Sequence, residues 1–586
     1  MKSFFKIFFA SIMALTVFTV IGYFIINAIV GKAIEPNKPV VTSKTVLVLD
    51  LSKPLMEQTR ESGFAFPEGQ TPMVNGLFDV VRAIRFAKQD ASVNGIYIKC
   101  AGNPNGFATS EELRNALLDF KQSKKFVVAY SNNISQKAFY VASCADRLYC
   151  HPQGMPDWKG FSMQYTYLKG MLEKLEIQPE IFYAGRFKSA TEPLREKQMT
   201  PANRLQSMVF LNEMYGQFLE AAASKTGVDT ATLHQFANDF TIQNSDAAMQ
   251  YHLVDGAKYD DEVKEEIQLK LGIAKTDKIQ FMAVADYIKA IDWTMPSNDH
   301  KIALIFAEGE IVDGKGMNEE IGGEKYMGLL RKARLDSNIK AVVFRINSGG
   351  GSSMASEMMW REVTLTRKVK PVIVSMGDYA ASGGYYIACN ADSIFAQPNT
   401  LTGSIGVFSV YGNLVGLMNN KLGVTFDGVK TSPSADFGNT FRPMTAKEKQ
   451  VAQAGVDTIY SIFKTRVSEG RHISKEIVDS LAQGRIWSGR QALKLKLVDR
   501  LGNIQDAIDC AARMAKLKTY QLKEWPVTQG FWDKIFNPME NKTSAGIDMI
   551  QTGLGEENAA VLKQLQTVKN WFGKTQARLP FFVQIN

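Results

Sequence analysis

The sequence predicts an α/β fold built as two tandem copies of one domain behind an N-terminal transmembrane helix. Three observations carry that expectation. Short β-branched runs alternate with longer helical stretches, as in folds with mainly parallel strands. The alternation occurs twice in the same order. The chain also opens with an uncharged run from Ile7 to Val30, long enough to cross a hydrocarbon core as a helix.

That opening segment is read as an uncleaved anchor, residues 1–32. A cleavable signal has a shorter apolar region and a small-residue cleavage site, and neither is found here. Lys2 and Lys6 precede the run, while Lys32, Lys38 and Lys44 follow it, so the charge signal for orientation is weak. A short N-terminus inside and the bulk of the chain outside is the orientation we expect.

The first repeat is placed at residues 40–290 and the second at 298–525. "SNNISQKAFYVASCADRLYCHPQG", from Ser131, aligns without a gap to "GDYAASGGYYIACNADSIFAQPNT", from Gly377. Tyr140 falls on Tyr386, Asp146 on Asp392 and Pro152 on Pro398. The strands read as "KTVLVLDL", "NGIYIKC" and "KKFVVAY" in one copy, and "KIALIFAEG", "KAVVFRI" and "KPVIVSM" in the other. Thr445 with Glu448 predicts a capping box before a long helix, and Thr200 with Pro201 marks the same start in the first copy. Residues 526–586 have no counterpart in the first copy, and the sequence assigns them no function.

Composition narrows the chemistry. At 586 residues the chain exceeds one ordinary core, and 45% hydrophobic with 22% charged residues is globular. The formal net charge of +9 is spread along the chain, which reads as a solvated surface and argues against a nucleic-acid partner. Cys100, Cys144, Cys150, Cys389 and Cys510 form no CxxC pair, and the five histidines stand in no metal motif. Neither a metal nor a cofactor is expected.

The informative positions are those where the copies differ. Ser382 aligns with Gln136, and Gly383 with Lys137. The loop "NSGGGS", Asn347 to Ser352, aligns with "AGNPNG", and Ser404 aligns with Trp158. The first copy therefore lacks a candidate nucleophile and a glycine loop able to hold an oxyanion. It carries instead Lys188, in "FYAGRFKSATEP", where the second copy places Thr431 or a neighbour. A lone lysine or serine is ordinarily unremarkable surface or turn chemistry; the complementarity of the two copies is what singles these out. A lysine reaches neutrality near pH 7 only if its pKa drops by about three units, roughly 4 kcal/mol. Burial between two domains supplies that by desolvation. Ser382 is then the nucleophile and Lys188 its base. The N–H groups of Gly383 and of Gly350 or Gly351 hold the oxyanion, and Ser404 orients the lysine amine.

"GRFKSATEP", "RINSGGGSSMASE", "MGDYAASGGYYIA", "LTGSIGV" and "GRIWSGRQALKLKLVDRLG" together resemble the signal peptide peptidase A (protease IV) family in its long two-domain form. The resemblance spans about residues 40 to 525. It implies a Clp/crotonase-like fold and a serine peptidase with Lys188 as base and Ser382 as nucleophile. It also implies a homotetramer anchored in the inner membrane, with its catalytic part in the periplasm, acting on remnant signal peptides. The chain departs from the family at Gly349, where a proline is usual, which leaves the loop more flexible. Two rival readings are a crotonase-like acyl-thioester enzyme, which explains neither the anchor nor the serine–lysine pair, and a non-catalytic scaffold.

Overall fold

The computed structural model describes residues 39–61, 73–291, 293, 299–317, 319–527, 573–579 and 584–585, with Phe8, residues 11–19 and Ile21 of the opening run. Those opening residues that are described are helical and exposed. Among the described residues no helix is long and apolar enough to cross a membrane, and most of the expected anchor lies outside them.

In the first repeat, Thr45–Asp50, Val93–Lys99, Phe126–Ser131 and Arg147–Cys150 form a parallel sheet. Gly256–Ala257 and Phe281–Ala283 complete its edges. Their apolar runs follow from burial on both faces. Leu47, Ile96, Ile98 and Val127 point to one side, toward the helices Leu77–Gln89 and Phe107–Lys121. Val46, Tyr97 and Val128 point to the other, toward Val263 and Ile267 of helix Asp260–Leu271.

The second repeat copies this plan. Lys301–Glu308, Ile339–Ser348 and Val372–Ala381 run parallel, with Gln521–Trp525 along one edge and, on the other side, Leu401–Gly403 followed by Ile486–Ser488 at the edge. Ala303, Ile305 and Phe344 face one core, and Ile302, Leu304 and Val343 face helix Ile504–Met514. Both predicted helix starts are present: Thr200 caps Pro201–Thr226, and Thr445 with Glu448 forms the capping box of Ala446–Arg471.

A third sheet breaks the repeat boundary. Its order is Glu320–Gly322, Glu310–Val312, Gly350–Ser352, Thr575–Arg578, Val407–Tyr411 and Glu180–Ala184. The last strand belongs in sequence to the first repeat. It pairs antiparallel with Val407–Tyr411 of the second, and its Phe182 and Ala184 sit in the second repeat's core. Thr575–Arg578 comes from the C-terminal extension, to which the sequence assigned no role.

Charge also joins the repeats. The Arg345 guanidinium donates to Glu57 at 2.7 Å and lies 2.8 Å from Glu112, with all three side chains almost wholly buried. Nearby, Thr109 donates through its N–H and hydroxyl to Asp378, at 3.0 and 2.6 Å. Phe107, Phe210 and Met214 of the first repeat pack with Ala381, Leu401 and Ile486 of the second. All five cysteines are buried free thiols.

Candidate active site

Ser382 sits where strand Val372–Ala381 turns into helix Gly383–Ala388. Its φ of 54° and ψ of −112° place a non-glycine residue in a sparsely populated backbone region. Such a conformation costs on the order of 1–3 kcal/mol and persists only when its surroundings impose it. They do so here: Ser382 N–H donates to Gly403 O at 2.8 Å. The residues after it must be small, since a Cβ on Gly384 would fall 2.7 Å from Ser348 O. Although Ser382 stands at the helix N-cap, its hydroxyl makes no capping bond and donates instead to Gly406 O at 3.3 Å.

Lys188 arrives from the other repeat. Strand Glu180–Ala184 ends at Gly185, whose φ of 110° turns the chain back. Phe187 N–H then donates to Gln483 O at 2.7 Å. Gly484 allows the lysine backbone to lie close, because a Cβ there would come within 2.6 Å of Lys188 N. Gln206, unremarkable in the sequence, donates to Phe187 O and to Ser189 Oγ, both at 3.0 Å, and so holds the loop from below.

The result is a contact of 2.8 Å between Lys188 Nζ and Ser382 Oγ. Lys188 Nζ also donates to Ser404 Oγ and Ser404 O, each at 3.2 Å. Lys188 is 1% exposed, and Ser382 and Ser404 are wholly buried. Burial pushes the lysine amine well below its ordinary range, and the positive charge of Arg578 pushes it further down. A neutral amine has a lone pair to accept the Ser382 proton, and its N–H bonds to Ser404 set the direction of that lone pair.

The glycine loop lies beside this pair. A Cβ on Gly350 would stand 2.8 Å from Gly383 N, and one on Gly383 would stand 3.1 Å from Gly351 N. Gly350 donates its own N–H to Ser348 Oγ at 3.1 Å, and Gly351 is paired in the sheet opposite Ala577. Thr431, the expected counterpart of Lys188, is exposed in an irregular segment. Nothing in the sequence singles out Arg578; its guanidinium is half-buried and donates to Glu310 at 2.7 and 3.2 Å. Comparison of the repeats was blind to it, since the first copy has no such segment.

A buried serine in contact with a buried lysine whose pKa burial lowers, at the junction of two α/β units, is compatible with a hydrolase that uses a serine nucleophile. The pattern of Peptidase family S49 matches residues 119–274 and 364–518, once in each repeat. Protease 4 of Salmonella typhi is 35% identical over 480 residues, covering 80% of this chain and 77% of that protein. Protease 4 of Haemophilus influenzae is 34% identical over 458 residues, 76% and 74% of the two chains. The chloroplastic serine protease SPPA of Arabidopsis thaliana is 29% identical over 483 residues, 81% and 69%. The chain belongs to peptidase family S49 and is a serine peptidase.

Proposed function

We propose that this peptidase is a membrane-anchored endopeptidase working through a Ser382–Lys188 dyad, and that remnant signal peptides are its substrates. The 2.8 Å contact between the two side chains, each brought by a different repeat, is the observation that carries this reading. Lys188 Nζ takes the proton of Ser382 Oγ as the oxygen attacks the peptide carbonyl. The N–H groups of Gly383 and of Gly350 or Gly351 bind the tetrahedral oxyanion. Lys188 then gives its proton to the leaving amine, and water hydrolyses the acyl-enzyme with the lysine as base again. This chemistry calls for neither metal nor cofactor.

The organisation we propose is an anchor at 1–32, Clp-type repeats at 40–290 and 298–525, and an extension at 526–586. The substrate class and the periplasmic side of the inner membrane rest on the motif resemblance and the apolar opening run. A homotetramer is supported by Leu422, Phe426, Val429 and Phe441, exposed apolar side chains around the segment equivalent to the lysine strand. In the first repeat that edge is covered by the second repeat. In the second repeat, the first repeat of another copy fits the same need, and such head-to-tail contacts close into rings. The dyad contact weighs against both a thioester enzyme and a scaffold. A serine-directed acylating probe is expected to label Ser382 alone; an unlabelled chain, or an adduct elsewhere, refutes the assignment.

A further inference from the structure

One buried amide spans the two halves of the site. Gln206 lies in the second turn of helix Pro201–Thr226 and is 1% exposed. Its Nε2 donates to Phe187 O and Ser189 Oγ, on either side of Lys188, each at 3.0 Å. Its Oε1 accepts from Ile486 N–H of the second repeat at 3.3 Å. Ile486 stands opposite Gly403, whose carbonyl takes the Ser382 N–H at 2.8 Å, and the adjoining Arg485 O takes the Ser404 N–H at 2.7 Å. The same side chain therefore grips the loop that carries the lysine and the strand that frames the serine.

The helix that presents Gln206 is itself tied to the lysine loop. Glu192, four residues beyond Lys188, accepts from the Thr200 hydroxyl at 2.5 Å and from Asn203 Nδ2 at 3.0 Å, and both Glu192 and Asn203 are buried. Asn203 Oδ1 in turn accepts from Gln206 Nε2 at 3.2 Å, which fixes the orientation of the amide. The second repeat carries no counterpart of Lys188. There the position matching Gln206, counted from the cap residues Thr200 and Thr445, is Val451, which is 57% exposed. A buried glutamine at this place is thus particular to the repeat that delivers the lysine.

We propose that Gln206 is a positioning residue for the dyad: its amide clamps the lysine loop of the first repeat to strand Ile486–Ser488 of the second, and so keeps the Lys188 amine enclosed against Ser382. The proposal rests on the reading of Lys188 as base. An amine buried in this way stays neutral only while water is kept from it. Burial is the main cause of its lowered pKa, and Arg578, paired with Glu310, adds to it. Arg186 and Arg485 lie against the ring of the neighbouring Phe187. Gln206 carries no charge, so replacing it leaves those groups as they are and acts through the enclosure alone. Its loss takes a donor from Phe187 O and Ser189 Oγ and an acceptor from Ile486 N–H, and buried polar groups without partners draw in water.

The pH dependence of the rate at which a serine-directed acylating probe labels Ser382, measured on the full chain, tests this. In the parent the rate is expected to climb with pH and level off. In Gln206→Met, similar in length but without the amide, the inflection is expected about one unit higher. Labelling is then about tenfold slower at pH below the inflection and rejoins the parent on the plateau. Gln206→Asn keeps the amide on a side chain one methylene too short to span both partners, and it decides the matter if the methionine variant melts early. Its inflection should move the same way, by less. A general loosening of the fold would instead lower the rate at every pH alike. Variant curves that keep the parent's inflection, with or without a lower plateau, overturn the proposal. A parent rate that is flat with pH strikes the dyad reading itself and the clamp with it, so the parent's curve tells the two failures apart.

Discussion

The same place in the two repeats tells two different stories. In the second, the turn after strand Val372–Ala381 holds Ser382 at positive φ with its hydroxyl uncommitted to the helix. In the first, the turn after Phe126–Ser131 is relaxed. Ser135 caps helix Gln136–Ala142 by accepting from Ala138 N–H, and Gln136 has no unusual backbone. The Gln136 side chain is fully engaged, donating to Gly160 O at 2.8 Å and accepting from the N–H groups of Lys159 and Gly160. Trp158, in the place of Ser404, fills the first core and donates to Leu233 O. At this turn the strain persists in the repeat where the proposed chemistry needs it, and in the other repeat the same turn has settled into ordinary packing. Duplication lets each copy keep half a site, provided that one half is delivered to the other. The exchange of strand Glu180–Ala184 delivers it.

The largest effect should come from splitting the dyad. Ser382→Ala and Lys188→Ala are each expected to lower kcat/KM at least about a thousandfold, with melting unchanged. The double variant should be no worse than either single one, since members of a catalytic unit are non-additive. Steady-state kinetics on a reporter peptide decides this, and substantial activity in Lys188→Ala removes the lysine from the mechanism.

A second effect sharpens what burial does to the lysine. Only the neutral amine is a base, and the neutral fraction grows as pH rises through the depressed pKa. The rate should therefore climb with pH and level off well below the ordinary lysine range. Lys188→Arg should be inactive at every pH, because a guanidinium does not lose its proton there. A flat kcat/KM profile from about pH 6 to 9, together with activity in Lys188→Arg, would put the proton elsewhere.

How much of this was legible beforehand follows from what a repeat comparison can detect. Ser382, Lys188, Ser404 and the glycine loop stood out because the other copy has replaced each of them. The copies also shared their strand pattern, so the sheets were readable. Arg578 and strand Thr575–Arg578 were not, having no counterpart to differ from, and nothing local marks a four-residue polar strand. Glu57 and Glu112 were equally silent. Each looks like a surface carboxylate until the fold brings Arg345 from nearly 300 positions away into contact with Glu57.

That cluster yields a third prediction, on how the halves are held together. Arg345→Met leaves Glu57 and Glu112 buried without their cation, and removing one partner of such a group costs about 3–5 kcal/mol. Thermal unfolding should shift down accordingly, and activity should fall with it, because the lysine and serine sit on opposite sides of this junction. A variant that melts like the parent would show that the strand exchange alone fixes the two repeats.

The smallest effect is the most pointed test of the comparison between the repeats. Gln136→Ser restores the serine of the second repeat at the matching turn of the first. It removes three hydrogen bonds and leaves the N–H groups of Lys159 and Gly160 without their acceptor, which should cost about 1–2 kcal/mol in chemical denaturation. It should create no second reactive centre. Lys137 stands where Gly383 lies in the other copy, and Asn103, Pro104 and Asn105 replace the run of glycines. Asn103 already donates to Ser110 Oγ at 2.9 Å, so that loop is committed to its own packing. Lys137 is itself depressed by burial, yet its Nζ donates to Asn105 O at 3.3 Å rather than facing the turn. Digestion and mass mapping after treatment with an acylating probe should recover the adduct on Ser382 and none on position 136. An adduct at 136 would mean that a serine at this turn is reactive without the glycine loop and without a lysine from the other repeat, and the division of labour between the copies would fail.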